Sequence, residues 1–132
     1  MHSFFDHSAT TEDITVRVSV SFLDDQSRIE KGRWFWSYHI RIENHGDKTV
    51  QLLARHWQIT DGRGAVNVVD GEGVVGEQPI LEPGKTHDYV SGCPLATPTG
   101  SMKGYFRMLR EDDSIIDVAI PHFPLVAPAT AR

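Results

Sequence analysis

Apolar and polar residues alternate along most of this chain. Ile14, Val16, Val18, Val20 and Phe22 alternate with Thr15, Arg17, Ser19 and Ser21. Trp34, Trp36, Tyr38, Ile40 and Ile42 share a second face, with Ser37, His39, Arg41 and Glu43 opposite. A period of two puts one face of a strand in a core and the other in water. Aromatic and β-branched side chains suit that pleated, half-buried surface. Thr49 to Asp61 is the next strand, with Leu53, Trp57 and Ile59 alternating with Ala54, His56 and Gln58. Arg55 falls on the Trp57 side, which predicts a bulge or an edge position. Further strands are predicted at 65–69, at 86–91 around Tyr89, around Met102, Phe106 and Met108, and at 115–120.

Turn signals separate these runs: Asn44-His45-Gly46-Asp47, Asp61-Gly62-Arg63-Gly64, Glu82-Pro83-Gly84 and Glu111-Asp112-Asp113-Ser114. Residues 1–12 read as a frayed lead-in and 92–100 as a loop holding Pro94 and Pro98. Pro121-His122-Phe123-Pro124 reads as a break in the pattern, and the tail after Val126 as mobile. No window keeps helical apolar spacing through the Pro and Gly interruptions. The predicted class is all-β, an immunoglobulin-like or fibronectin type III-like β-sandwich of two antiparallel sheets. At 132 residues, one domain over 1–132 is expected, with its core at about 13–126 and flexible termini.

Composition narrows the function classes. The net charge of -5 argues against a nucleic-acid binder, which needs clustered Lys and Arg. The single cysteine, Cys93, excludes an internal disulfide and fits a reducing cytoplasm. No apolar run follows a basic N-terminal region, and none approaches the ~20 residues of a membrane span. The reading is a cytoplasmic protein without membrane or nucleic-acid partners.

Gly71-Glu72-Gly73-Val74-Val75-Gly76 carries a G-x-G-x-x-G pattern. A dinucleotide fingerprint needs a following helix, and Pro79 and Pro83 preclude one. What survives is a backbone nest, with Gly71, Gly73 and Gly76 as ligand-binding candidates for a pyrophosphate or nucleotide. The simpler reading is that these glycines permit positive φ and close approach to neighbouring strands. Glu72 and Glu77 weaken an anion site.

No H-x-H or H-E-x-x-H spacing unites His39, His45, His56, His87 and His122, so no metal-ligand set is assigned. Ser91, His87 and Asp88 are close in sequence, but alternate strand residues face opposite ways. No catalytic residue and no cofactor is expected. Trp34 and Phe35 open a strand, so one faces outward. Both are candidates for an interaction surface.

Tyr38-His39-Ile40-Arg41-Ile42-Glu43-Asn44, Val50 to Trp57, Gly73-Val74-Val75-Gly76-Glu77-Gln78-Pro79, Tyr89-Val90-Ser91-Gly92 and Met102-Lys103-Gly104 together resemble the ApaG family, also known as CorD. So do Pro83-Gly84 and Ile120-Pro121 with Phe123, and the resemblance spans about Ile14 to Val126. It implies a fibronectin type III-like sandwich and a bacterial cytoplasmic protein associated with cobalt resistance and magnesium efflux. In eukaryotic relatives the domain looks like an interaction module, and the family offers no established catalytic residues. The leading expectation is therefore a non-enzymatic module that binds a protein partner or forms a homodimer through a sheet edge or end loops. Nucleotide binding at residues 71–76 and divalent-metal binding are the alternatives.

Overall fold

The computed structural model describes residues 5–132. Among these, nine strands form two antiparallel sheets. They are β1 (His7–Thr11), β2 (Ile14–Phe22), β3 (Trp34–Asn44), β4 (Val50–Asp61), β5 (Val66–Glu72), β6 (Ile80–Leu81), β7 (Thr86–Leu95), β8 (Thr99–Arg110) and β9 (Ile115–Val126). One sheet has the order β1-β2-β3-β7. The other has the order β5-β4-β8-β9, with β6 pairing β4 beyond the end of β5. The expected all-β sandwich is thus the observed architecture.

Period-two patterning produces the core. Burial alternates along all 11 residues of β3, from Trp34 to Asn44. Val16, Val18, Trp36, Ile40 and Ile42 from the first sheet meet Leu52, Trp57, Phe106, Met108, Val118 and Phe123 from the second. Each fully buried aliphatic or aromatic side chain contributes roughly 1.5–3 kcal/mol, so this face dominates stability.

Several expected boundaries move. The lead-in is β1 from His7 onward, while residues 1–4 lie outside the described residues. The expected loop at 92–100 is mostly strand, because β7 continues to Leu95 opposite Trp34. β9 likewise runs through Pro121 and Pro124, and buries Phe123 and Leu125 completely. Pro94, Pro121 and Pro124 sit on edge strands, where a missing N–H removes no ladder bond on the outer side. The tail ends in a 3-10 turn at Ala129–Ala131, and Ala131 is buried.

A bulge decides the site. The β4–β8 register shifts between Leu52 and Ala54. Leu52, not Leu53, is therefore the buried residue, and parity flips for the rest of β4. Arg55 now points into the inter-sheet space with Trp57 and Ile59.

The two sides of the sandwich differ. On one, β1 packs against β9, and the Ala119 amide donates to Thr11 Oγ1 at 3.1 Å. On the other, no ladder joins β5 to β7 among the described residues, so both strands present a free edge.

Candidate functional site

The Gly-rich run crosses this open side. Asp70, Gly71 and Glu72 still belong to β5, paired with His56, Arg55 and Ala54. The chain then leaves the sheet: the Gly73 amide donates to the Leu53 carbonyl at 2.8 Å, the residue extruded by the bulge. Val74 and Glu77 exchange both backbone hydrogen bonds, at 2.8 and 3.0 Å. Val75 (φ 48°) and Gly76 (φ 79°) make the two-residue turn between them. Two successive positive φ values define a type I′ turn, the tight reversal suited to twisted strands. Pro79 then accepts from the Leu52 amide at 3.0 Å and returns the chain to β4 as β6. The result is a strap from one sheet toward the other. Its Val74 is buried in the core, and Glu77 Oε2 lies 3.8 Å from His87 Nε2 on β7.

This geometry separates the three candidate glycines. Gly71 is a strand residue on which the Arg55 guanidinium lies; a Cβ there would sit 2.6 Å from Nη2. Gly73 is at the crossover, where a Cβ would meet the Glu77 carbonyl at 2.2 Å. Gly76 is at the tip, in open space. The amides of Gly73, Val74 and Glu77 are all committed to carbonyls within the chain. The strap also turns acceptors toward a cation, since Arg55 Nη1 donates to the carbonyls of Glu72 at 3.0 Å and Gly73 at 2.9 Å.

Arg55 lines three cavities: one is shared with His56, Asp70 and Glu72, and the other two reach β7. Of the latter two, one, of about 490 Å³, opens between β5 and β7 and is lined by Tyr38, Arg55, Trp57, Asn67, Ser91 and Cys93 among others. The other, of about 250 Å³, lies under the strap against Val74, Tyr89 and Ser91. Burial pushes the Tyr38 phenol above its usual pKa, opposed by a hydrogen bond with Ser91, so it stays neutral at physiological pH. Tyr89 is raised further by burial, and its hydroxyl has no hydrogen-bond partner among the described residues. Burial pushes the Cys93 thiol up to about 11, so it is no ready nucleophile. The Asp61 carboxylate accepts through Oδ1 from the amides of Arg63 and Ala65 in its own turn, at 2.8 and 3.0 Å.

The rim is apolar. Val66 and Val68 on β5, Val75 on the strap, Ile80 on β6 and Val90 on β7 are each more than half exposed, between 51% and 64%. Two further large exposed apolar residues, Ile115 and Val126, are on β9. Val66 lines the larger cavity and Val75 and Val90 the smaller, whereas Val68 and Ile80 line neither.

Of the two aromatic candidates, Trp34 turns inward, and its indole N–H donates to the Ala131 carbonyl at 2.5 Å. Phe35 faces outward, half-buried, with its ring against Gly92 on the β7 edge. The histidines are dispersed. His39 and Arg41 share Asp88, at 2.7 and 2.9 Å, while His56 pairs Asp70 at 2.6 Å and His45 pairs Glu43 at 2.9 Å. Among the described residues, no three His, Cys, Asp or Glu side chains form a group that could hold a metal ion. Asp88 lies on the outer face, away from Ser91, which contacts Tyr38 inside. The residues that pattern reading passed over are Arg55, Tyr38 and Tyr89. The anomalous parity of Arg55 was the available signal.

Comparison with known proteins agrees across the chain. A family model described as the ApaG domain matches residues 24–110. The chain is 50% identical over 125 residues to Protein ApaG of Caulobacter vibrioides, covering 95% of this chain and 89% of that protein. It is 52% identical over 122 residues to Protein ApaG of Paramagnetospirillum magneticum, covering 92% and 94%. A crystal structure described as an ApaA protein from Bordetella pertussis matches with a TM-score of 0.85 and 42% identity, over 89% of this chain and 95% of that one. The C-terminal domain of Wzt, at a TM-score of 0.54 and 6% identity, shares the fold alone. With the family model covering well over half the chain and half the residues identical to those of full-length relatives, this chain belongs to the ApaG family.

Proposed function

We propose that this chain is a non-enzymatic binding module that takes a protein partner along the open β5–β7 side. The observation that carries the reading is the groove of about 490 Å³ flanked by two free sheet edges and an apolar rim. Free edges accept an extended segment by β-augmentation, and alternate side chains then enter the groove. The strap adds a second support. Val75 is β-branched, exposed and held at φ 48°, where Asn or Gly fits a type I′ turn with less strain. Strain retained on an exposed apolar tip is consistent with contact to a partner. The described residues that line the groove pair no nucleophile with a base, which favours binding over catalysis. On this reading the family's link to cobalt resistance and magnesium efflux runs through the partner, not through metal held by this chain.

The test is photo-crosslinking in cells from a reactive amino acid placed at Val68, Val90 or Ile115. The same adduct is expected from Val68 and Val90, and none from Ile115 on the opposite edge of the β5-containing sheet. The reading fails if Ile115 gives that adduct equally, or if neither the β5 nor the β7 position gives any.

A further inference from the structure

We infer that Arg55 is a carboxylate receptor, and that the groove binds an extended polypeptide that presents an acidic group to it beside β7. This deepens the reading above and rests on it.

The first ground is charge. Arg17, Arg41, Arg107 and Arg110 each meet a carboxylate at 2.9 to 3.0 Å. Arg55, half-buried and lining both cavities that reach β7, forms no such pair among the described residues. Asp61, the acidic residue lining the larger cavity, forms no ion pair with Arg55 and turns Oδ1 to its own turn amides. A half-buried guanidinium without a counter-ion is costly, and a carboxylate matches its planar donor fork.

The second ground is preorganisation. Nη1 is held by the carbonyls of Glu72 and Gly73, and Gly71 supplies the space in which the guanidinium lies. Those bonds fix the plane of the group. Nη2 and Nε make no hydrogen bond among the described residues, so one edge of the fork is left for a ligand. A donor pair held before binding loses little side-chain entropy when it binds.

The third ground identifies the occupant. Edge strands are usually guarded by charge or proline. On β7 the segment Tyr89-Val90-Ser91-Gly92-Cys93 carries neither, and lies between Asp88 and Pro94. Its outer edge has no backbone partner among the described residues. Ser91 lines both cavities, as Arg55 does. Residues directly opposite on adjacent strands share a face. A residue added opposite Ser91 therefore turns its side chain into the space where Arg55 waits. An extended peptide with an acidic residue at that position satisfies both the edge and the cation.

The experiment is affinity selection from an octapeptide library made in two forms, one amidated and one with a free C-terminal carboxylate. Wild-type protein is expected to enrich Asp or Glu at one position of the amidated form, or sequences that bind only with the free carboxylate. The two arms separate a side-chain carboxylate from a chain terminus. In the selected peptides, exchanging the acidic group for its amide should weaken binding about tenfold or more. Arg55→Gln should lose the acidic preference, with its thermal unfolding measured alongside. Should that variant not fold, the wild-type Arg55 Nε–H resonance must shift on peptide addition and not with the amide analogue. Selection of peptides without acidic enrichment, or of none, overturns the inference, as does an unchanged preference in Arg55→Gln or an unmoved Arg55 resonance. Crosslinking from Val68 and Val90 is independent of Arg55, so its success beside a failed selection would sink only the carboxylate receptor.

Discussion

Replacing Gly73 by Ala tests whether the glycines of the run serve backbone geometry. Gly73 has φ +63°, and a Cβ there would lie 2.2 Å from the Glu77 carbonyl oxygen. Holding Ala in the left-handed region costs about 1–2 kcal/mol. Relieving the contact requires the Val74–Glu77 pair to separate, which forfeits two backbone hydrogen bonds of about 1 kcal/mol each. The expected loss is about 3–4 kcal/mol. Gly76→Ala is the internal control. Its φ of +79° carries the same conformational cost, but nothing lies within 4 Å of the added methyl. It should lose only about 1–2 kcal/mol. Urea denaturation of both variants measures the difference, read as a change of midpoint at constant slope. Equal losses for the two would refute the steric reasoning, and with it the strap's dependence on close approach at Gly73.

Val75→Asn should relieve the strain at the turn and stabilise the fold by about 1 kcal/mol, while weakening crosslinking to a partner. A destabilised variant would show that the Val75 side chain is packed, not strained. Tyr89→Phe removes a buried hydroxyl that lacks a partner among the described residues, so stability should hold or rise slightly in urea titration. A loss above about 1 kcal/mol would mean that the hydroxyl has a partner in solution. Trp34→Phe should cost about 1–2 kcal/mol and accelerate amide exchange at Ala131, because the indole N–H no longer holds the C-terminal turn. Burial pushes the Cys93 thiol from 9.0 up to about 11, so the fold favours the protonated thiol. Its contribution is full below pH 9.0 and is lost as pH rises toward 11. Cys93→Ala should flatten that part of the stability–pH curve, and an unchanged slope would exclude the thiol as its source.

The alternation along β2 and β3 is a local property, and the strands and their buried faces were legible in it. The aromatic row from Trp34 to Ile42 could be placed in the core without knowledge of its neighbours, because a pleated strand sends every second side chain the same way. The turn clusters were equally local. Edge position was not. Pro94, Pro121 and Pro124 read as breaks, but each lies on an outer strand, where the missing donor costs no ladder bond. Only the sheet order reveals that. Nor could the sequence state the register of β4. The extra residue at Leu53 is defined by its pairing with β8, about 50 residues on, and it sends Arg55 inward.

The G-x-G-x-x-G pattern shows the same division. Its composition was enough to predict positive φ, which Gly73 and Gly76 adopt, and its prolines were enough to exclude a helix. Where its amides and carbonyls point depended on the β4 edge to which it is tied. That edge took up the Gly73 amide, the strap's own turn took up those of Val74 and Glu77, and two carbonyls came to face Arg55. Local chemistry thus determined the strands, the turns and the fold class. Long-range pairing alone decided that one side stays open and that a cation stands in it.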